Sequence, residues 1–391
     1  MRKNILISLA VAAALAAPLA HADAGDTTIG GVIYADFTNI STTQDAPVVP
    51  VGAKTPTTGD IDPNGFGVDV KRGYFIVNHE FDDIWSANLT TDFNLPKYTL
   101  SGSGTSSTVD PSTGQPITTT DSVSGNAPET QLFIKKLYLQ GKFDDYAILR
   151  IGSADMPWIP YAEGVYGYRF VENTLIDRSL PGFGSFGNSA DWGVNLNGGG
   201  GMVSYSISAV NGGGYKNNTR SKSMDFEGRV AVTPVDGLIL AGGFYSGKRD
   251  LDTEKTPAVN TASRLDALVA WKASGLTVGL EWFSADKWND VLTPSTGTTT
   301  KSDGTSIFAS YDIPNTDFSV FGRSDTIKPA KDTFSEVKDQ YFNLGFAWKA
   351  NKNVTWAVAY KNDKLTDNLK YNLSSDELKT NELGVWIQVK Y

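Results

Sequence analysis

Charged side chains are the residues most able to do chemistry in this sequence, and those in residues 154–190 include both signs. This segment holds acidic and basic residues at close spacing, namely Asp155, Glu163, Arg169, Glu172, Asp177 and Arg178. Arg72 and Arg150 precede it, in segments where polar and apolar residues alternate. Rings of charged side chains select ions and polar solutes in pores, and arginine adds a fixed fork of donors that stays charged. These residues favour selective solute binding, although ion pairing that only fixes the segment in place is the alternative.

This chain contains few of the residue types that usually carry catalysis. The sequence contains no cysteine and two histidines, His21 and His79, which excludes thiol chemistry and leaves no convincing Ser–His or Asp–His constellation. The glycine runs at 198–201 and 212–214 precede no Lys-Ser/Thr pair and open no helix, so they indicate turns rather than phosphate-binding loops. We therefore predict no enzyme activity, no cofactor and no metal site.

The N-terminus has the three parts of a secretory signal peptide. A short basic segment precedes an apolar stretch over 5–20, and a small-x-small pattern follows it. The apolar stretch is shorter than the roughly 20 residues that a spanning helix needs. We expect cleavage after Ala22, or alternatively after Ala24, so that 1–22 is removed and 23–391 forms one domain.

Net charge excludes two classes of partner. The chain carries 34 Lys and Arg against 43 Asp and Glu, a net charge of −9, and removal of the basic signal segment makes it more negative. Nucleic-acid binding requires a basic footprint, which is missing here. Docking on an anionic membrane leaflet by charge alone is excluded for the same reason.

Apolar and polar residues alternate along most of the chain. Between 84 and 93, Trp85 and Leu89 fall on one face, whereas Asn88 and Asp92 fall on the other. A period of two predicts strands with one apolar and one polar face. The pattern recurs along the chain, with apolar faces that include Phe133, Leu137 and Leu139, then Leu265, Ala267 and Val269, and finally Leu383, Val385, Ile387, Val389 and Tyr391.

Connections between the predicted strands alternate in length. Short turns such as Asp82-Asp83 and Ser274-Gly275 separate long connections at 40–66, 95–129, 154–190, 211–222, 249–261, 285–304, 327–338 and 362–377. Short periplasmic turns and long external loops are typical of outer-membrane barrels, and the strand count is about sixteen. The predicted fold class is all-β, a transmembrane antiparallel β-barrel.

Aromatic residues lie near the ends of the predicted strands, where a membrane girdle would place them. They are Phe81, Trp85, Phe93, Phe143, Trp192, Phe318, Trp348 and Tyr391. A secreted soluble β-protein is the alternative fold, but it would pool its apolar residues in a core. A nearly uniform apolar face on every strand favours a barrel in the bacterial outer membrane.

Residues 68–180 resemble the Gram-negative porins, and most closely the phosphate-selective porin family. The resemblance rests on a set of short motifs, which are Lys71-Arg72-Gly73-Tyr74, the acidic turn and aromatic at 80–85, its echo at 141–146, Leu149-Arg150-Ile151-Gly152, and 170–175. It implies a barrel of about sixteen strands, assembled as a homotrimer, whose third external loop folds into the lumen. The segment 154–190 is the third long connection.

The resemblance also implies a layout for the pore. In porins, wall arginines face acidic residues of the constriction loop and set up a transverse field. Here Arg72 and Arg150 would stand on the wall, and Asp155, Glu163, Glu172 and Asp177 on the loop, with Arg169 and Arg178 also available. Small hydrophilic solutes or ions, including anions such as phosphate, would diffuse through a water-filled channel.

Other functions remain open from the sequence. Trp158, Tyr161, Tyr166 and Tyr168 would suit a channel for sugars or other small organic solutes, although packing of the loop against the wall explains them as well. A non-conducting structural or adhesive barrel is a further alternative. Expected partners are outer-membrane lipid, lipopolysaccharide and the solute, together with two further copies of the chain.

Overall fold

The computed structural model describes residues 25–44, 59–60, 64–94, 105–109, 116–120, 131–292, 300–366 and 377–391. Within these residues a single sheet contains sixteen long strands, which we number β1 to β16. Their bounds are Thr27–Gln44, Gly65–Glu80, Trp85–Asn94, Gln131–Asp144, Ala147–Asp155, Ala190–Gly200, Val203–Val210, Asp225–Val232, Leu238–Gly247, Ala262–Ala273, Leu276–Asp286, Lys301–Asp312, Phe318–Lys328, Lys338–Lys349, Val354–Thr366 and Glu377–Lys390.

The sheet closes on itself. Each strand pairs antiparallel with the next, and β1 pairs with β2 on one side and β16 on the other. The first and last strands meet at this seam, where the backbone N–H of Gly31 donates to the carbonyl of Tyr391 at 2.9 Å. A closed barrel leaves no unpaired strand edge. The predicted fold class, a sixteen-stranded antiparallel barrel, is confirmed.

The two faces of the barrel differ in polarity as the alternation predicts. Large apolar side chains are exposed on the outside, for example Leu265, Ile307 and Leu344. Charged residues next to them in sequence, such as Arg264 and Asp266, are buried on the inside. An apolar exterior suits lipid, because every backbone polar group of a closed barrel is paired within the sheet. In the described ranges, no helix has the length and apolar character to cross a membrane.

Three β-bulges interrupt the register among the described strands, and two of them each place two neighbouring basic residues inside. On β2 the pairing with β1 skips Lys71, so that Lys71 and Arg72 both point inward. On β4 the pairing with β3 skips Lys135, so that Lys135 and Lys136 both point inward. An extra bulge residue shifts the phase of everything beyond it.

The bulge on β4 also corrects one expectation from the sequence. Phe133 was expected on the same face as Leu137 and Leu139, because strict alternation joins them. Its neighbours Leu132 and Ile134 are exposed on the outside instead. Phe133 points inward, where the amino group of Lys216 lies 4.5 Å from its ring.

Connections alternate in length around the barrel as predicted. The short ones span 81–84, 145–146, 201–202, 233–237, 274–275, 313–317 and 350–353. Of the long ones, 156–189, 211–224, 248–261 and 329–337 are fully described, whereas much of the predicted loops 40–66, 95–129, 285–304 and 362–377 lies outside the described residues. The predicted signal peptide 1–22 lies outside them as well. A hairpin of Thr105–Val109 and Pro116–Thr120 forms a separate two-stranded sheet.

Candidate pore and constriction loop

The connection 156–189, which we call the constriction loop, lies inside the barrel. Its ends are tied together where the N–H of Met156 donates to the carbonyl of Ser189 at 3.0 Å. It contains one helix, α1 (Ile159–Tyr166), with proline in its first turn and Gly167 at φ 83° after its last residue. Proline near the start and a left-handed glycine after the end are favourable helix boundaries. The loop was predicted to span 154–190. In the structure, residues 154–155 belong to β5 and residue 190 belongs to β6.

Trp158 fastens the start of the loop to the far wall. Its backbone N–H donates to Glu227 of β8 at 2.9 Å, and its indole N–H donates to Glu281 of β11 at 2.8 Å. The indole ring lies against Gly243 of β9, where an added Cβ would stand 2.6 Å from the ring. The side chain is fully buried. Trp158 therefore fixes the position of α1 in the lumen.

Arg178 fastens the other half of the loop. Its guanidinium is surrounded by three wall carboxylates, with Asp325 at 3.2 Å, Asp363 at 3.0 Å and Asp339 in direct contact. These residues come from three consecutive strands, β13, β14 and β15. Arginine suits this position because its five donors can serve several carboxylates at once. Removing it would leave three acidic groups close together without a common counter-charge.

Glu172 joins a second charged network on the wall. The amino group of Lys361 lies 2.9 Å from Glu172 and 2.5 Å from Glu382. Lys71 extends the network, 3.5 Å from Glu382 and 3.0 Å from Asp36. Burial opposes ionisation of Glu172, but Lys361, Lys71 and Arg178 outweigh it and hold its pKa well below its usual range. Glu172 is therefore a fixed negative charge at neutral pH.

Arg169 organises the acidic tip of the loop. Its guanidinium contacts Glu163, lies 3.6 Å from Asp177 and donates to the hydroxyl of Tyr74 on β2 at 3.1 Å. Burial is the largest influence on Asp177 and raises its pKa; the Arg169 charge opposes this rise without cancelling it, and Glu163 adds to it. One arginine is thus shared by two carboxylates, of which Asp177 holds its proton more tightly than an ordinary aspartate.

The remaining predicted residues lie on β2 and β5 of the barrel wall. Arg72 donates to Asp92 at 2.8 Å and to the hydroxyl of Tyr215 at 3.3 Å. Asp155, the last residue of β5, pairs with Lys136 at 2.5 Å. Arg150 lies near the short-turn end of β5 and donates to Gln140 at 2.8 Å, with its guanidinium 5.0 Å from the ring of Tyr138.

The structure therefore brings together only part of the predicted set. Glu163, Arg169 and Asp177 form one cluster, whereas Glu172 and Arg178 pair with wall residues that the sequence did not single out. Arg72 and Arg150 form no ion pair with the acids of the constriction loop among the described residues. The wall cation that faces Glu172 is Lys361 of β15.

The aromatic residues of the loop pack against the wall. Trp158, Tyr166 and Tyr168 are buried, and the ring of Tyr168 stacks on Phe321 of β13 with centroids 4.0 Å apart. Tyr161 is the partly exposed one, and the guanidinium of Arg229 lies 3.9 Å from its ring. This arrangement favours the packing explanation over a row of sugar-binding rings.

Water reaches the other side of the lumen. The side chains of Arg72, Lys136 and Asp155 are 21%, 24% and 29% exposed although they point into the barrel. Below them towards the short turns, Gln140 and Arg150 are also partly exposed. A cavity of about 330 Å³ lies under the constriction loop at that end, lined in part by Lys272, Lys349, Lys352 and Lys390.

Sequence analysis missed a second inward loop. The connection 211–224 places Tyr215 beside Arg72 and Asp92, on the wall strands β2 and β3. Its glycine run was interpreted as a turn, and alternation carries no information about where a loop goes. A single aromatic-basic pair, Tyr215-Lys216, was the available signal.

Comparisons with known structures agree with this architecture. The outer membrane channel DcaP of Acinetobacter baumannii is similar with a TM-score of 0.57 at 11% identity, over 94% of this chain and 97% of that chain. An anion-selective porin from Comamonas acidovorans has a TM-score of 0.55 at 9% identity, over 94% and 100% of the two chains. OmpT, an outer membrane protein of Vibrio cholerae in its trimer form, has a TM-score of 0.55 at 11% identity, again over 94% and 100%.

No protein-family profile matches this sequence, and no curated protein sequence matches it. At such low identities the structural likeness establishes the fold. With its apolar exterior and polar interior, the chain is a multi-pass β-barrel of the bacterial outer-membrane type, and the architecture it shares is that of the porins.

Proposed function

We propose that this protein is a porin, a water-filled channel through which small hydrophilic solutes and ions diffuse passively across the outer membrane. The observation that carries the proposal is a polar, partly exposed strip of wall on β2 to β6 that runs beside the packed constriction loop. A non-conducting structural barrel would need no such strip. Solute selection in a wide barrel depends on pore diameter and lining charge, and the constriction loop supplies both.

The charge of this strip favours anions such as phosphate. Arg72, Asp92, Lys136 and Asp155 form two ion pairs that cancel. Lys135 and Arg150 face the lumen with neutral partners, the hydroxyl of Tyr74 and the amide of Gln140. The strip therefore has a positive balance, although the chain as a whole is acidic.

A homotrimer in contact with lipid and lipopolysaccharide is the proposed assembly. The trimer form of the similar OmpT structure supports it. Native mass spectrometry in detergent should show a trimer before heating and a monomer after heating.

Single-channel recording in planar bilayers tests the proposed function. The intact protein should give discrete conductance steps, and deletion of Tyr161–Asp177 should enlarge them, because the deletion removes most of α1 and the acidic tip. The deletion leaves Trp158 and Arg178 in place as anchors. Absence of steps from a heat-modifiable, correctly folded protein would contradict the channel, and unchanged steps in the deletion variant would contradict the constriction.

A further inference from the structure

The loop 211–224 is held across the mouth of the barrel rather than away from it. The carboxylate of Asp191 on β6 accepts the N–H groups of Gly212 and Gly214, each at 3.1 Å. The N–H of Tyr215 donates to the carbonyl of Ala190 at 3.0 Å, and the indole N–H of Trp192 donates to the carbonyl of Tyr215 at 3.0 Å. These hydrogen bonds to β6 hold the tip of the loop over the inward face of the barrel wall.

The tip of this loop reaches β2 and β3, which lie beyond β4 and β5 on the barrel wall. The hydroxyl of Tyr215 lies 3.3 Å from both Arg72 on β2 and Asp92 on β3. Because Arg72 also pairs with Asp92, the tyrosine hydroxyl completes a three-member polar cluster. The loop therefore narrows the water-accessible strip on its long-loop side.

Two lysines flank the ring of Tyr215 at this narrowing. The amino group of Lys135 lies 5.9 Å from the ring centre, and that of Lys216 lies 5.8 Å from it. Lys216 also lies 4.5 Å from the ring of Phe133. Aromatic rings attract cations within about 6 Å of their centres and hold them without neutralising their charge.

Neither lysine has an acidic partner. Lys135 donates to the hydroxyl of Tyr74, and within the described parts of the chain no carboxylate lies within ion-pair distance of Lys135 or Lys216. Two acids lie near this site: Asp92 on the wall is paired with Arg72, and Asp177 of the constriction loop, whose pKa burial raises and the charge of Lys135 lowers, is paired with Arg169. Partial burial lowers the pKa of Lys216, and the charges of Arg72 and Lys135 lower it further, against the pull of Asp92. Positive charge at this point is in excess, and a bound anion would relieve the repulsion.

We propose that the loop 211–224 forms a second selectivity element at the long-loop mouth, where Lys216 and Lys135 bind the charged group of a small phosphate or carboxylate solute. This inference rests on the proposed channel function and assigns the residues that recruit its anions. Phe133 holds the amino group of Lys216 and Tyr74 holds that of Lys135, with the ring of Tyr215 near both. The anion approaches from the exposed side of Lys216. From there it passes to the strip beside the constriction loop.

The test compares two lysines of the same loop. Lys216→Glu changes the charge at the proposed site by two units, and Lys222→Glu makes the same change at a position where the lysine is already paired with Glu254 at 3.2 Å. Reversal potentials in a KCl gradient give the chloride-over-potassium permeability ratio. Inorganic phosphate and acetate, added on the long-loop side, are the probes, and their block of the chloride current gives the binding.

For Lys216→Glu we expect an about 25-fold loss of phosphate block at low salt, about fivefold for each of the two charge units changed, together with a lower permeability ratio. The loss should shrink in 1 M salt, where the Debye length is about 3 Å. Lys222→Glu should leave both readouts unchanged. Block by phosphate but not by acetate would assign a phosphate solute, and block by acetate but not by phosphate would assign a carboxylate solute.

Equal behaviour of the two variants in a conducting channel would overturn this inference while leaving the proposed function intact. Absence of conductance in the unaltered protein would overturn the proposed function instead. Lys216→Gln, a smaller change at an exposed side chain, repeats the comparison if the glutamate variant does not fold.

Discussion

Asp177 is the acid of the constriction loop with the strongest tendency to keep its proton. Because its pKa is raised by burial, acidification should protonate it ahead of ordinary aspartates, whereas Glu172 stays ionised beside Lys361. Loss of this charge leaves Arg169 shared with Glu163 alone. We therefore expect the chloride-over-potassium permeability ratio to begin to rise, as the pH is lowered, before the pH reaches the value of about 4 at which an unperturbed aspartate protonates.

The raised pKa of Asp177 also determines how the stability of the folded protein changes with pH. A raised pKa means that the folded loop binds this proton more tightly than the unfolded chain, so stability falls as pH rises from the ordinary aspartate value through the raised one. Asp177→Asn should remove the pH-dependent part of the permeability ratio that Asp177 causes. If the asparagine variant keeps the full pH response, another group is responsible.

The contact between the constriction loop and β9 depends on the absence of one side chain. A Cβ at Gly243 would stand 2.6 Å from the ring of Trp158, whereas at Gly242 the nearest atom to an added Cβ is 3.9 Å away. Gly243→Ala should therefore displace Trp158 at a cost of about 1–3 kcal/mol, typical of overpacking, and produce noisier single-channel currents. Gly242→Ala is the matched control on the same strand. Quiet currents from both variants would show that Trp158 is not a firm anchor.

Strands and loop order could be predicted from the sequence, but the approach of one element to another could not. Alternation fixes faces locally, which is why Leu265 was correctly assigned to an apolar face. Bulges at Lys71 and Lys135 have no signature in alternation beyond a neighbouring basic pair. The partners of Arg178 lie about half the chain away, on strands whose position depends on closure of the whole barrel. For the same reason the inward phase of Arg150 was foreseeable, whereas its distance from the constriction loop was not.

The outer face of the barrel exposes large apolar side chains, whereas many charged side chains are buried inside, the reverse of a soluble protein. Leu344, in the middle of β14, is 59% exposed on the outer face. Leu344→Arg should destabilise the folded barrel in bilayers by about 2–4 kcal/mol, since a charge at the membrane midplane is opposed by lipid. Leu344→Met keeps the size and polarity and should fold normally. Urea titration in lipid vesicles measures both, and equal midpoints would mean that this face does not meet lipid.

At the bulges of Lys71 and Lys135, the number of residues in a strand can change without changing the direction of the side chains on either side of the bulge. In a regular strand, loss of one residue exchanges the lipid and water faces for everything beyond it. At Lys135 the extra residue has no cross-strand partner in the register with β3, so a chain without it would keep Ile134 outside and Lys136 inside. Lys71 has the same property between Val70 and Arg72. A deletion within a regular strand would reverse the faces beyond it, whereas a deletion at either of these two sites would keep them and remove one positive charge from the lumen. Loss of a codon here is thus an evolutionary route to a different pore charge at constant architecture.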